Sequence, residues 1–119
     1  MSVWDNKLAF TFSIETAVPG TNSFPDPVLH DHGERNGVFF IEREGRRVAE
    51  LTYRMMGDTA VVDHTWVDPK LRGGALAPSL VQAVVDWARR EKHVISPACS
   101  YVRIVMDRAP ETYKDVRKT

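Results

Sequence analysis

Apolar and polar positions alternate with a period of two through the middle of the chain, and then the period lengthens to that of a helix. Val38-Phe39-Phe40-Ile41-Glu42-Arg43 and Val48-Ala49-Glu50-Leu51-Thr52-Tyr53-Arg54 flank Glu44-Gly45, a pattern that predicts two strands joined by a short glycine turn. Gly57-Asp58-Thr59 supplies the next turn, and Ala60 to Val67 reads as a third strand of the same antiparallel meander. From Leu76 onward, Leu76, Leu80, Val81, Val84, Val85 and Ala88 share one helical face while Gln82, Asp86, Arg89 and Arg90 point elsewhere. This spacing predicts a helix over roughly 75–92. Pro78 agrees with a start near Ala75, because proline is tolerated in a first turn, where its missing N–H has no intrahelical acceptor to lose.

His93-Val94-Ile95 then reads as a short buried strand ending at Pro97. The helix between it and the meander permits a parallel pairing. Past Pro97 the segment Ala98-Cys99-Ser100-Tyr101-Val102 either opens a second helix or continues as loop, and Pro110 to Val116 reads as a last short helix. The pattern describes an α+β (mixed α/β) domain: an antiparallel meander, a crossover helix and a further strand in one sheet. Before it, residues 1–27 hold the alternating piece Leu8 to Ile14 and then turn formers around Pro19-Gly20 and Phe24-Pro25-Asp26-Pro27. This N-terminal extension is read as an added edge strand or a flexible arm, and residues 28–119 as the single domain.

Composition narrows the function classes. At 119 residues with 43% hydrophobic content, the chain is long enough for one core and short for two. Sixteen basic residues balance sixteen acidic ones, which removes the overall field that attracts nucleic acid or anionic membrane, and near-zero charge leaves both monomer and homodimer open. One cysteine makes no intramolecular disulfide, and no basic segment leads into a continuous apolar run, so the expected compartment is the cytoplasm.

Candidate chemistry lies at the end of the third strand. Asp68-Pro69-Lys70-Leu71-Arg72-Gly73-Gly74-Ala75 joins a strand to a helix through small residues, an arrangement in which backbone N–H groups approach a pyrophosphate at the positive helix end. A tight turn without a ligand has the same appearance. Cys99, the only cysteine, lies one strand further on. As a nucleophile it needs a thiolate, which a helix N-terminus or a nearby cation favours, whereas its bland role is that of a small buried hydrophobe. His64, in a strand of apolar and β-branched residues, alternates on one face with Val62 and Trp66 and is either a proton acceptor or a structural histidine. His30-Asp31-His32 lacks further ligands at suitable spacing, so a loop is expected there rather than a metal site.

The segments His64-Thr65-Trp66-Val67, Arg72-Gly73-Gly74-Ala75-Leu76-Ala77 and Pro97-Ala98-Cys99-Ser100-Tyr101, in this order, resemble the GNAT acyltransferase superfamily, and more narrowly its short single-domain branch. The resemblance runs from about residue 28 to 117. In that superfamily the pyrophosphate loop reads Gln or Arg, two variable residues, Gly, one variable residue, then Gly or Ala; laid on Lys70 to Ala75, Lys70 stands where Gln or Arg is usual, so a cation survives without a planar donor fork. The resemblance implies acetyl-CoA as cofactor, held by Lys70, Arg72, Gly73, Gly74 and Ala75, with Trp66 and Val67 offering backbone groups to the pantetheine arm. It puts Cys99 at the thioester end and His64 near the acyl site. Tyrosines elsewhere in the superfamily protonate the leaving thiolate, but Tyr101 occupies an unusual place in the chain and is read as a core or rim residue. The implied reaction moves an acetyl group to the amine of a small molecule or peptide, directly or through acetylated Cys99. A module that binds CoA or acyl-CoA and transfers nothing is the rival reading.

Overall fold

The computed structural model describes residues 26–118. The strands are β1 (Leu29–His32), β2 (Asn36–Arg43), β3 (Arg46–Met56), β4 (Thr59–Val67) and β5 (Val94–Pro97), and the helices are α1 (Leu76–Glu91), α2 (Ser100–Arg108) and α3 (Pro110–Tyr113). They form one sheet in the order β1-β2-β3-β4-β5, antiparallel as far as β4 and parallel between β4 and β5. The expected α+β architecture is present, with four meander strands instead of three.

The additional strand is the segment expected to be a loop. Leu29 to His32 pair with Phe40 to Gly37, and the His30 ring stacks on Phe39 with centroids 4.0 Å apart. A polar His-Asp-His run conceals a strand because only half of it faces the core. Other boundaries move by a few residues: the short strand is Val94–Pro97, leaving His93 outside it, the segment after Cys99 is helical, and the last helix ends at Tyr113. The N-terminal extension, apart from Asp26 and Pro27, lies outside the described residues.

α1 lies on the sheet face that carries Phe39, Leu51 and Tyr53, with Trp87 against both Phe39 and Tyr53. Its stripe of Leu76, Leu80, Val81, Val84 and Val85 is buried, contributing on the order of 10 kcal/mol of gross hydrophobic stabilisation. The helix stops where Lys92 adopts a left-handed conformation at φ 61° and its N–H returns to the Ala88 carbonyl. Beyond α3 the chain runs back along β5: the Ile95 N–H donates to the Val116 carbonyl at 2.6 Å and the Lys118 N–H to the Ile95 carbonyl at 2.8 Å.

One irregularity governs the site. Tyr53 pairs with Val62 and Thr52 with His64, so Asp63 is the extra residue of a bulge. The shift reverses the alternation. Val62, Thr65 and Val67 lie opposite Tyr53, Leu51 and Ala49 on the α1 side, whereas His64 and Trp66 lie opposite Thr52 and Glu50 on the other face. His64 therefore does not share a face with Val62, contrary to the simple period-two expectation.

Candidate active site

Pairing between β4 and β5 ends at Val62 and Pro97. Asp63 to Val67 continue alongside β3 alone, and the wedge so opened faces the N-terminus of α1. The wedge holds a cavity of about 300 Å³ lined by Thr65, Trp66, Val67, Leu71, Arg72, Gly73, Gly74, Leu76, Ala77 and Tyr101. A cleft at the carboxyl end of a strand, beside a helix start, is where α/β sheets bind anionic ligands.

The loop is shaped from its first residue. Asp68 accepts the Lys70 backbone N–H on Oδ1 at 3.0 Å and a 2.9 Å bond from the Arg46 guanidinium on Oδ2. These two donors, the backbone one foremost, hold its carboxyl below the ordinary carboxylate range. Pro69–Leu71 then make one 3-10 turn, after which Gly73 takes φ +87°, a value that side chains disfavour. A Cβ at Gly73 would meet nothing within 4 Å, and one at Gly74 only the Leu71 carbonyl at 3.7 Å. The floor of the cavity is thus bare backbone. Among the described residues the Gly73 and Gly74 N–H groups have no acceptor, and the first N–H groups of α1 lack intrahelical partners. An unshielded, donor-rich turn at a positive helix end fits a pyrophosphate. Arg72 is exposed, and its Nε donates to the Val67 carbonyl at 3.0 Å, which ties the loop to the end of β4.

Cys99 is the N-cap of α2. Its backbone N–H donates to the Val62 carbonyl at 2.8 Å, taking up the last β4 carbonyl before the bulge, and its Sγ donates to Thr65 Oγ1 at 3.4 Å. Tyr101, in the first turn of α2, reaches the cavity. Burial, reinforced by Tyr113 and Cys99 and opposed by Arg108, raises its pKa, so the phenol is protonated at neutral pH. His64 does not line the cavity: its side chain is 53% exposed, with Nε2 3.7 Å from the Glu50 carboxylate on the opposite face.

Of the residues singled out in the sequence, Trp66, Val67, Arg72, Gly73 and Gly74 come together in the cavity. Lys70 is exposed on the 3-10 turn and Ala75 is the N-cap of α1; neither is part of the lining. Cys99 joins the cavity through Thr65. Sequence reasoning missed Thr65, which the bulge turns toward Cys99, and passed over Tyr101. It also missed Asp68, although an acidic residue before Pro at a strand end is a signal for a capped turn. Among the described residues no group of three or more His, Cys, Asp or Glu side chains is arranged to hold a metal ion, and no helix is long and apolar enough to cross a membrane.

Residues 38–116 match the family described as GCN5-related N-acetyl-transferase. The chain belongs to that family. An N-acetyltransferase of this kind takes its acetyl group from acetyl-CoA, and the backbone cradle suits the cofactor's pyrophosphate. No curated protein matches significantly. Among solved structures, the chain is similar to a GCN5-like putative N-acetyltransferase from Staphylococcus aureus, with 32% identity over 75% of this chain and 86% of that one and a TM-score of 0.57. It shares its fold with the ribosomal-protein-S18-alanine N-acetyltransferase of Escherichia coli, at 19% identity, 66% and 54% coverage and a TM-score of 0.54. An aminoglycoside acetyltransferase from an uncultured soil metagenomic sample, solved with sisomicin, also shares it at 16% identity, 74% and 63% coverage and a TM-score of 0.54. The chain spans most of the staphylococcal protein and little more than half of the E. coli enzyme. Of the two basic residues in the loop, Arg72 makes the bond to the Val67 carbonyl and Lys70 stands on the 3-10 turn before it.

Proposed function

We propose that this N-acetyltransferase holds the CoA pyrophosphate on the turn Arg72 to Ala75 and the first turn of α1, and passes the acetyl group through Cys99 to an amine of a small molecule or a protein in the cytoplasm. The carrying observation is the wedge itself: one cavity is lined both by Gly73 and Gly74, whose N–H groups have no acceptor among the described residues, and by Thr65 and Tyr101. Trp66 and Val67 also line the cavity, the stretch of β4 along which the amide-bearing pantetheine arm would run. Arg72 adds positive charge at the rim.

The covalent route is favoured by placement. Cys99 touches a residue of the cavity wall and sits at the positive end of α2, whereas His64 faces Glu50 across β4. Cys99 as nucleophile divides one displacement into two, each at a thioester carbonyl. Tyr101, protonated within the same wall, is positioned to give its proton to the departing CoA sulfur. The monomer supplies every residue this scheme uses.

Intact-protein mass spectrometry after incubation with acetyl-CoA, paired with calorimetric CoA binding, tests the reading on the unaltered protein, Gly74→Glu and Cys99→Ala. Gly74 has room for a Cβ, so the glutamate probes bulk and negative charge at the phosphate position without forcing the turn. The expected result is CoA binding lost in Gly74→Glu, and an acetyl adduct on the unaltered protein that Cys99→Ala lacks while still binding CoA. Full turnover by Cys99→Ala removes the covalent route. No CoA binding by the unaltered protein removes the assignment of the wedge.

A further inference from the structure

We propose that Thr65 is a positioning residue for Cys99: its hydroxyl holds the sulfur at the cavity wall and, once the thiol has lost its proton, turns to donate to the thiolate. The inference rests on the covalent route above and extends it to a residue to which the sequence reading gave no role. Three independent placements carry it. The Asp63 bulge moves Thr65, instead of His64, onto the side of β4 where Cys99 lies. The bond from the Cys99 N–H to Val62 fixes the backbone of the cysteine against the same strand. Among the described residues, the Thr65 hydroxyl is the one side-chain group in hydrogen-bond contact with Sγ, and Thr65 is part of the cavity lining while Cys99 is not.

A hydroxyl suits this position because it both accepts and donates. In the resting state the thiol S–H donates to Oγ1. When that proton passes to solvent, the Thr65 O–H rotates and donates to the negative sulfur. Sγ then forms a bond to the acetyl carbonyl carbon, the carbonyl carbon to CoA sulfur bond breaks, and the CoA sulfur takes the Tyr101 proton, which solvent replaces. In the second half the acceptor amine bonds to the same carbon and gives up a proton to solvent, and Sγ leaves as the thiolate that Thr65 again receives. Valine has nearly the shape of threonine and can do none of this, whereas serine can.

Thr65→Val and Thr65→Ser in the full chain provide the test, read by quenched-flow mass spectrometry of the Cys99 acetyl adduct, by calorimetry of CoA binding, and by Cys99 alkylation with iodoacetamide in the absence of CoA. Thr65→Val is expected to bind CoA within about twofold of the unaltered protein while adduct formation and alkylation both slow by about tenfold or more, the scale of a lost hydrogen bond to a charged group. Thr65→Ser is expected to restore both rates to within about threefold, which a purely structural role for the threonine methyl would not do. Alkylation of Thr65→Val at the unaltered rate overturns the inference whatever the acetyl measurement shows. A parallel loss of CoA affinity also overturns it, by making Thr65 a cofactor contact. Turnover without any adduct on the unaltered protein overturns the covalent route instead, and the alkylation rates still report separately on the Thr65 contact.

Discussion

Acidification from pH 7 to pH 5 is expected to destabilise the protein through His30. The His30 ring stacks on Phe39, its Nε2 lies 2.6 Å from the Tyr53 hydroxyl, and Trp87 meets it edge-on at 5.4 Å. Burial first, and then the nearby His32 and Arg90, lower its pKa from 6.5 to about 3. Tyr53 is itself held protonated by burial and by Asp31, so the phenol donates and the neutral imidazole accepts. A histidine with a depressed folded-state value contributes most above its unfolded value, and that contribution is lost as pH falls from 6.5 toward 3. Integrating the proton uptake of the unfolded chain gives a loss of about 2 kcal/mol between pH 7 and pH 5, a ceiling because the ring is only partly buried. In a domain of this size that is about 10 °C in Tm. Asp68 and Asp115, whose carboxyls are held below their ordinary 3.8, lose their contribution only at lower pH, so the window isolates the imidazole from them. Urea unfolding followed by tryptophan fluorescence at pH 7, 6 and 5 measures the slope, and His30→Gln, which keeps an acceptor but does not titrate, should flatten it. An unchanged slope in His30→Gln would refute the assignment, as would an imidazole seen by NMR to protonate near pH 6.5 in the folded protein.

Gly73→Ala should cost about 1 kcal/mol in denaturant unfolding, because alanine is strained in the left-handed region, whereas Gly74→Ala should be close to neutral; equal effects would contradict the loop geometry. Asp68→Asn should leave the fold intact but weaken CoA binding several-fold in calorimetry, since the capped turn presents Gly73 and Gly74; undiminished affinity would show that the turn holds without it. Leu80→Ala, at a fully buried position of α1, should lower stability by about 2–5 kcal/mol in urea titrations. A smaller loss would mean that the α1 face is less tightly packed than its burial implies.

The fold was legible where a single periodicity governed many residues. The α1 stripe from Leu76 to Ala88 and the β2–β3 hairpin announce themselves because each buries one face against one partner. β1 was not legible: four residues, two of them histidines, do not establish an alternation, and His30 is packed by rings that the sequence places far away. The bulge was hidden for another reason. Asp63 is polar in a strand with one polar face, so nothing local distinguishes an extra residue from a solvent-facing one, and only pairing with β3 reveals the slip. The site divided along the same line. Gly73 and Gly74 could be read from their turn and the helix after it, whereas the contact between Thr65 and Cys99 follows from the bulge and from the Cys99 N–H bonding to Val62, both of them tertiary. Tyr101 reaches the wall because α2 starts where that bond fixes it.

The return of the chain along β5 bears on how the protein behaves in company. A sheet that ends in a bare strand offers its open N–H and C=O groups to any extended segment nearby, and neutral net charge does little to keep such segments apart. Here Val116 and Lys118 occupy both groups of Ile95, and the ion pairs of Arg117 with Asp107 and Arg89 with Asp115 pin the covering segment to the helices beneath it. The segment 115–118 thus acts as a selvedge that keeps the weave from running on into a neighbouring molecule. Removing the segment 115–118 would leave the candidate wedge untouched and turn a self-limited sheet into one with a template for strand addition.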